Sequence, residues 1–164
     1  MKQVLMDKVV VNMGVGSEPE EMKKAIQIMQ LVTGRKPAQT LCVARIPDWG
    51  LRPGIPIGLK VTIRGEKAVE FLKKVIMAKA NKLNAKSFDK EGNFGFGIRE
   101  YIDIPGAKYD PKLGIKGFDV LVALKKKGYR VKARKIMKTK VGRKQRVTKQ
   151  DAIDYVTALG IMVE

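Results

Sequence analysis

Residues 57–64 read IGLKVTIR, and this stretch alternates without a break. Ile57, Leu59, Val61 and Ile63 fall on one side of an extended chain, and Gly58, Lys60, Thr62 and Arg64 on the other. The apolar row demands a core beneath it. The other row is cationic and rich in donors, which suits phosphate and ribose contacts, and it equally fits an ordinary solvated strand surface. Immediately upstream, residues 44–54, ARIPDWGLRPG, carry two prolines, two glycines and the single Trp, and read as an irregular loop. Immediately downstream, Gly65 separates the strand from a helix-period segment.

Toward the N-terminus, a short strand is expected at about Gln39–Val43, preceded by Arg35-Lys36-Pro37. Before it, Met22, Ala25, Ile26, Met29 and Val32 recur at three- and four-residue intervals, the stripe of an amphipathic helix that Gly34 terminates. Ser17-Glu18-Pro19-Glu20 has capping-box spacing with Pro in the first turn. Val4–Met13 reads as a first strand with Val9, Val11 and Met13 on one face, ending in Asn12-Met13-Gly14-Val15-Gly16. Toward the C-terminus, a helix is expected from Glu66 to about Leu83 with Val69, Leu72, Val75 and Ile76 inward. A half-buried strand follows from Asn93 to Ile104, then another from Phe118 to Leu124. Thr148-Lys149-Gln150-Asp151 caps a last helix that buries Ala152, Ile153, Val156 and Leu159. Strands joined by loops more often than by helices predict a single α+β domain, a mainly antiparallel sheet with helices on one face.

Between the last strand and the last helix lies KKKGYRVKARKIMKTKVGRKQRVTK, residues 125–149. Thirteen of the 34 Lys and Arg residues fall there, with no Asp or Glu. Alone, such a block repels itself and is a solvated arm; opposite a polyanion, each neutralised phosphate releases a counterion. The whole chain has 164 residues, a formal net charge of +18 and a pI near 10.1, which calls for an anionic partner. Nucleic acid leads, ahead of an anionic membrane surface or an acidic protein.

Several chemistries fall away. Histidine is absent, which removes the commonest general base and metal ligand. One cysteine, Cys42, precludes an internal disulfide and reads as a small buried hydrophobe. Gly14 and Gly16 begin a phosphate-cradling pattern that Pro19 breaks, and no Walker motif occurs. The closest acidic grouping, Glu18, Glu20 and Glu21, sits at a helix N-terminus, where acids suit the dipole. No catalytic residues, cofactor or metal are therefore expected. The N-terminus lacks a signal-peptide pattern and no apolar run reaches membrane-span length, so the expected compartment is the cytoplasm. Gly92-Asn93-Phe94-Gly95-Phe96 superficially resembles an RNA-recognition-motif strand, but the alternation makes Phe94 and Phe96 core residues and position 91 is Glu. A general polybasic binder of RNA or other polyanions is the remaining alternative.

Five segments, VVVNMGVG (9–16), VTGRKPAQT (32–40), GLRPGIPIGLKVTIRG (50–65), SFDKEGNFGFGI (87–98) and IPGAKYDPKLGIKGFDV (104–120), closely resemble the universal large-subunit ribosomal protein five family. The resemblance runs in order along essentially the whole chain. The basic insertion at 125–149 and the ending RVTKQDAIDYV resemble its archaeal or eukaryotic branch. The family binds 5S ribosomal RNA. The resemblance implies an antiparallel sheet with RNA opposite the helices and a place in the central protuberance, with further contacts to 23S-type ribosomal RNA. It also implies that the 44–54 loop reaches P-site transfer RNA, with Arg45 and Arg52 on phosphate and Trp49 either stacking there or anchoring the loop, and that a small-subunit protein is met across an intersubunit bridge. Carried over by motif, the RNA contacts on the folded part are Asn12, Gly14, Arg35, Lys36, Lys60, Thr62 and Arg64. Arg35 stands where many relatives have Gln, which trades amide hydrogen bonding for a charge-assisted phosphate contact. In the arm the expected contacts are Lys132, Arg134, Lys135, Arg143, Lys144 and Arg146, and the arm is expected to order on ribosomal RNA.

Overall fold

The alternation of 57–64 is realised as strand β3 (Pro56–Ile63), in which Leu59, Val61 and Ile63 are buried while Lys60 and Thr62 are exposed. In this computed structural model, which describes residues 3–107 and 109–164, β3 lies in a five-stranded antiparallel sheet. The other members are β1 (Val4–Gly14), β2 (Ala38–Leu41), β5 (Phe94–Ile98) and β6 (Phe118–Lys126), in the order β2-β3-β1-β6-β5. A separate parallel pair joins β4 (Lys82–Leu83) to β7 (Met162–Val163). The helices are α1 (Pro19–Thr33), α2 (Glu66–Met77), α3 (Arg130–Ala133) and α4 (Lys149–Ala158). The fold class is α+β, as expected. Two compact units are distinguished, Val10–Ile63 with Gly97–Val120, and the residues up to Val9 with Arg64–Phe96 and Leu121–Glu164.

In the unit that contains β3, the core is built from Val11, Met13, Leu59, Val61 and Ile63 on the strands and Met22, Ala25, Ile28 and Met29 on α1. Helix α1 packs on β3. Ile28 takes the inward place that periodicity gave to Ile26, and Ile26 and Val32 are half-buried. The helix starts differently from the capping-box expectation. Pro19 occupies the first helical turn and holds its predecessor extended, so Glu18 (ψ 120°) becomes the N-cap, without a side-chain cap bond. Gly34 ends α1 in the left-handed region (φ 64°), its N–H donating to the Gln30 carbonyl, as its sequence position predicts. Gly58 cannot be replaced without displacement: a Cβ there would stand 2.9 Å from the Met13 carbonyl and from Thr40 Oγ1. Within this unit Tyr101 is fully buried and its hydroxyl accepts from the Asp110 N–H at 3.4 Å. Strand β5 stops at Ile98 instead of running to Ile104, because the chain turns into a 3-10 segment at Tyr101–Asp103, with Tyr101 N–H donating to the Lys116 carbonyl.

In the other unit, α2 buries Ala68, Phe71, Leu72, Val75 and Ile76 and ends at Met77, six residues before the expected end. Lys and Ala at 78–82 have high helix propensity, but β7 offers pairing to Lys82–Leu83, and the chain reaches it through left-handed Ala80 and Asn81 (φ 53° and 57°). Tertiary pairing outweighs propensity here. Phe88 and Phe94 are both buried, with ring centroids 4.9 Å apart. Phe94 is therefore core and offers no face for base stacking. Helix α4 has the expected capping box: the Asp151 N–H donates to Thr148 Oγ1 and the Thr148 N–H to the Asp151 carboxylate. None of the helices formed by the described residues is long and apolar enough to cross a membrane.

Candidate nucleic-acid interface

The outer row of β3 is presented by a strand whose inner row is closed against the core, so Lys60 and Thr62 are held by rigid backbone. The β2–β3 register places Ala38 opposite Lys60 and Thr40 opposite Gly58. Pairing with β2 ends at Lys60, and the Thr62 carbonyl beyond it accepts from Arg35 Nη1 at 3.3 Å. Arg35 therefore has one guanidinium nitrogen engaged at the strand, and the side chain is otherwise exposed. Asn12 is half-buried on β1, out of phase with buried Val11 and Met13. Its amide, the Thr62 hydroxyl and the Lys60 and Lys36 ammonium groups have no partner among the described residues. Gly14 is exposed at the end of β1. These are preformed donors and acceptors facing outward from a packed strand pair.

Residues 44–54 are more ordered than an irregular loop. Ile46 and Leu51 bridge through two backbone hydrogen bonds of 3.0 Å, and Pro47–Trp49 make a 3-10 turn closed by left-handed Gly50. Trp49 is 71% exposed on this turn, so it does not anchor the loop. Arg45 and Arg52 are exposed and have no acidic partner among the described residues. Cys42 is buried, its thiol donating to the Ala44 carbonyl, in keeping with a packing role.

The 125–149 arm is fastened at its base. Lys125 Nζ donates to Asp7 Oδ1 at 2.7 Å, and Arg64 Nη1 approaches the same oxygen at 3.5 Å. Lys126 Nζ donates to Asp151 Oδ2 at 2.6 Å and to the Arg146 carbonyl at 3.3 Å. That lysine, ahead of the Thr148 N–H, holds the Asp151 carboxyl below its ordinary range. Gln145 Nε2 donates to the Lys127 carbonyl, and the Val147 N–H to the Tyr129 hydroxyl at 3.0 Å. Val147 is buried against Gly92, where a Cβ would stand 2.4 Å from Val147 Cγ1. Beyond this base the chain forms α3, and residues 132–140 are exposed throughout. Lys132, Lys135, Lys138, Lys140, Arg143 and Lys144 have no acidic partner among the described residues. Arg134 and Arg146 donate to the backbone carbonyls of Met137 and Val141. The arm walls an open cleft of about 1310 Å³ whose lining includes Lys8, Arg64, Lys125, Arg130, Lys138 and Lys140. Of the side chains lining it, ten are Lys or Arg and two, Asp7 and Glu91, are acidic. A cavity of that sign attracts phosphate and repels cations.

The expected residues thus fall into two groups. Asn12, Gly14, Arg35, Lys36, Lys60 and Thr62, with the 44–54 loop, belong to one unit; Arg64 and the arm cations belong to the other. Sequence reasoning missed the arm's fastenings: Asp7, Tyr129, Val147 and Asp151. The signals were present. Asp7 falls in phase with Val9 and Val11, and Lys126 in phase with Val122 and Leu124. A charge on a buried row requires a partner. Another acid is paired within the unit that contains β3: Glu21 accepts from Lys116 at 2.5 Å and Lys24 at 2.9 Å, which together pull its carboxyl from 4.5 to about 2.

Comparison with known proteins accounts for both the N-terminal and the C-terminal part of the chain. Residues 1–52 match the family described as Ribosomal protein L5, and residues 56–155 match the ribosomal L5P family C-terminus. The large ribosomal subunit protein uL5 of Archaeoglobus fulgidus is 48% identical over 164 residues, covering 100% of this chain and 92% of that protein. The protein of the same name from Nanoarchaeum equitans is 45% identical, with 99% and 97% covered, and that from Sulfolobus acidocaldarius 47% identical, with 95% and 88% covered. The family is one of structural ribosomal proteins, not enzymes. With both parts matched and relatives aligned over nearly their full length, the chain belongs to the ribosomal protein L5 family, in company with its archaeal members.

Proposed function

We propose that this chain is a structural constituent of the large ribosomal subunit that binds 5S ribosomal RNA and fastens it in the central protuberance. The outer face of β3, with Asn12, Gly14, Arg35 and Lys36, supplies preformed donors to RNA shape, ribose hydroxyls and phosphates. The arm, through Lys132, Arg134, Lys135, Arg143, Lys144 and Arg146, with Arg64 at its base, adds phosphate neutralisation toward 5S or 23S-type ribosomal RNA. The turn at Pro47–Trp49 presents Trp49 between Arg45 and Arg52, an arrangement suited to stacking and phosphate contact with P-site transfer RNA. A neighbouring small-subunit protein across a bridge completes the partners that the family resemblance implies.

The observation that carries this reading is the selective use of acids. Asp7, Glu21 and Asp151 pair lysines that hold the fold together, while the cations of the β3 face and the outer arm stand without acidic partners among the described residues. The test is binding to 5S ribosomal RNA against an unrelated structured RNA of equal length across a salt series. A preference for 5S that persists as salt rises is expected. Equal affinities that collapse together would leave only a general polybasic binder.

A further inference from the structure

The arm is a cationic element with an apolar apex. Ile136 and Met137 are adjacent, and each is 77% exposed. They contribute nothing to the core. A purely solvated or purely phosphate-binding arm has no use for two large apolar side chains at its tip, where Lys, Ser or Gly would serve.

The apex is also built. The Thr139 N–H donates to the Val131 carbonyl at 3.3 Å and closes residues 132–138 into a loop. The Arg134 N–H donates to the Arg130 carbonyl at the end of α3, and Arg134 Nε donates to the Met137 carbonyl at 2.7 Å. Met137 adopts φ 51°, a left-handed conformation that a side-chain-bearing residue takes at a cost. The Arg134 hydrogen bond to its carbonyl holds that conformation.

Charge decides what the apex fits. Lys132, Lys135, Lys138 and Lys140 flank it, with no acidic partner among the described residues. An apolar protein surface would have to desolvate those ammonium groups. A nucleic acid offers both complements together, phosphates for the lysines and ribose and base faces for the aliphatic side chains. Ile and Met are among the side chains that wedge against or between bases, and the RNA minor groove is wide and shallow enough to admit them.

We propose that Ile136 and Met137 form an apolar wedge that docks against exposed base or ribose faces of ribosomal RNA, so that the arm reads RNA shape as well as charge. This rests on the reading of the chain as a ribosomal RNA binder and goes beyond it, because that reading gives the arm only phosphate contacts. Burying two aliphatic side chains predicts a contribution of about tenfold in affinity that salt does not screen.

The test compares the full chain with Ile136→Ser/Met137→Ser and with Ile136→Leu/Met137→Leu. Affinity for 5S ribosomal RNA and for large-subunit ribosomal RNA is measured across a salt series, together with ribose reactivity footprints. The serine variant should lose about tenfold on at least one of the two RNAs with the slope of log affinity against log salt unchanged, and should lose a discrete part of the footprint. The leucine variant should retain both. Both substitutions lie at exposed positions, and an unchanged melting temperature verifies folding. Unchanged affinity and footprint of the serine variant on both RNAs overturn the wedge while leaving the ribosomal RNA reading intact. Failure of the unmodified chain to prefer either RNA overturns that reading, and the wedge falls with it.

Discussion

The β3 face and the 125–149 arm carry cations by opposite means. On β3, Lys60 and Thr62 alternate with Leu59, Val61 and Ile63, so every outward group is positioned by an inward one. The arm has thirteen Lys and Arg in 25 residues, and it is tied to the rest of its unit at its base, by Asp7, Asp151, Tyr129 and Val147, while its apex is closed only by hydrogen bonds within the arm. A rigid row with few charges places donors accurately and gains little from counterion release. A dense, lightly tethered block gains much from counterion release and fixes geometry poorly. On the RNA-binding reading proposed above, affinity and discrimination should therefore be separable, and substitutions should be able to remove one without the other.

The largest effect is expected in the arm. Replacing Lys132, Lys135, Lys138, Lys140 and Lys144 together by Gln should lower affinity for ribosomal RNA by roughly two to three orders of magnitude at moderate salt. The slope of log affinity against log salt should fall by about 0.7–0.9 for each phosphate that is no longer neutralised. The preference for 5S over unrelated RNA should survive. Loss of that preference with the slope retained would exchange the two roles, since the arm would then be the discriminating element. Next comes the support beneath the face. Leu59→Ala removes a fully buried side chain behind Lys60 and should cost about 3 kcal/mol in urea unfolding. The face itself follows: Asn12→Ala should lower affinity for 5S about tenfold while shifting the melting temperature by no more than a few degrees, because its amide has no partner among the described residues. A proportionate loss of stability would mark Asn12 as structural.

How far the two regions were legible in sequence follows from the same physics. The β3 row was readable residue by residue because alternation is a local property and Leu59, Val61 and Ile63 had only one direction in which to be buried. The Gly34 stop and the Thr148–Asp151 cap are likewise local. The α2 terminus was not legible, because the pairing of Lys82–Leu83 with Met162–Val163 joins positions eighty residues apart. The end of β5 was hidden for a related reason: Tyr101 is fully buried by a turn, which strand alternation does not describe. In the arm, composition revealed the charge but concealed the fastenings. Val147 looks like a lone apolar residue among cations, and only Gly92 opposite it shows why it is buried. The closing turn at 46–51 was hidden behind its Pro and Gly content, which signals irregularity and is silent about the Ile46–Leu51 bridge.

The smallest effect concerns the acids that the folded part spends on its own lysines. Lys116 and Lys24 hold the Glu21 carboxylate at about 2 against its ordinary 4.5. A carboxyl whose folded value is depressed stabilises the native state above its unfolded value, and that contribution is lost as pH falls through the folded value. The loss should therefore run from about pH 4.5 down to about pH 2. Glu21→Gln leaves both lysines without this partner and should lower the urea midpoint near neutrality by a modest amount, since the pair is partly exposed and screened. The gap between variant and unmodified chain should close as pH is taken down toward about 2. Acid also raises the repulsion inherent in a formal charge of +18, so the difference between the two proteins, and not either curve alone, isolates the pair. A gap that stays constant with pH would assign the effect to packing around α1. In that case the contrast between paired lysines in the fold and unpaired ones on the β3 face and the outer arm would lose its energetic content.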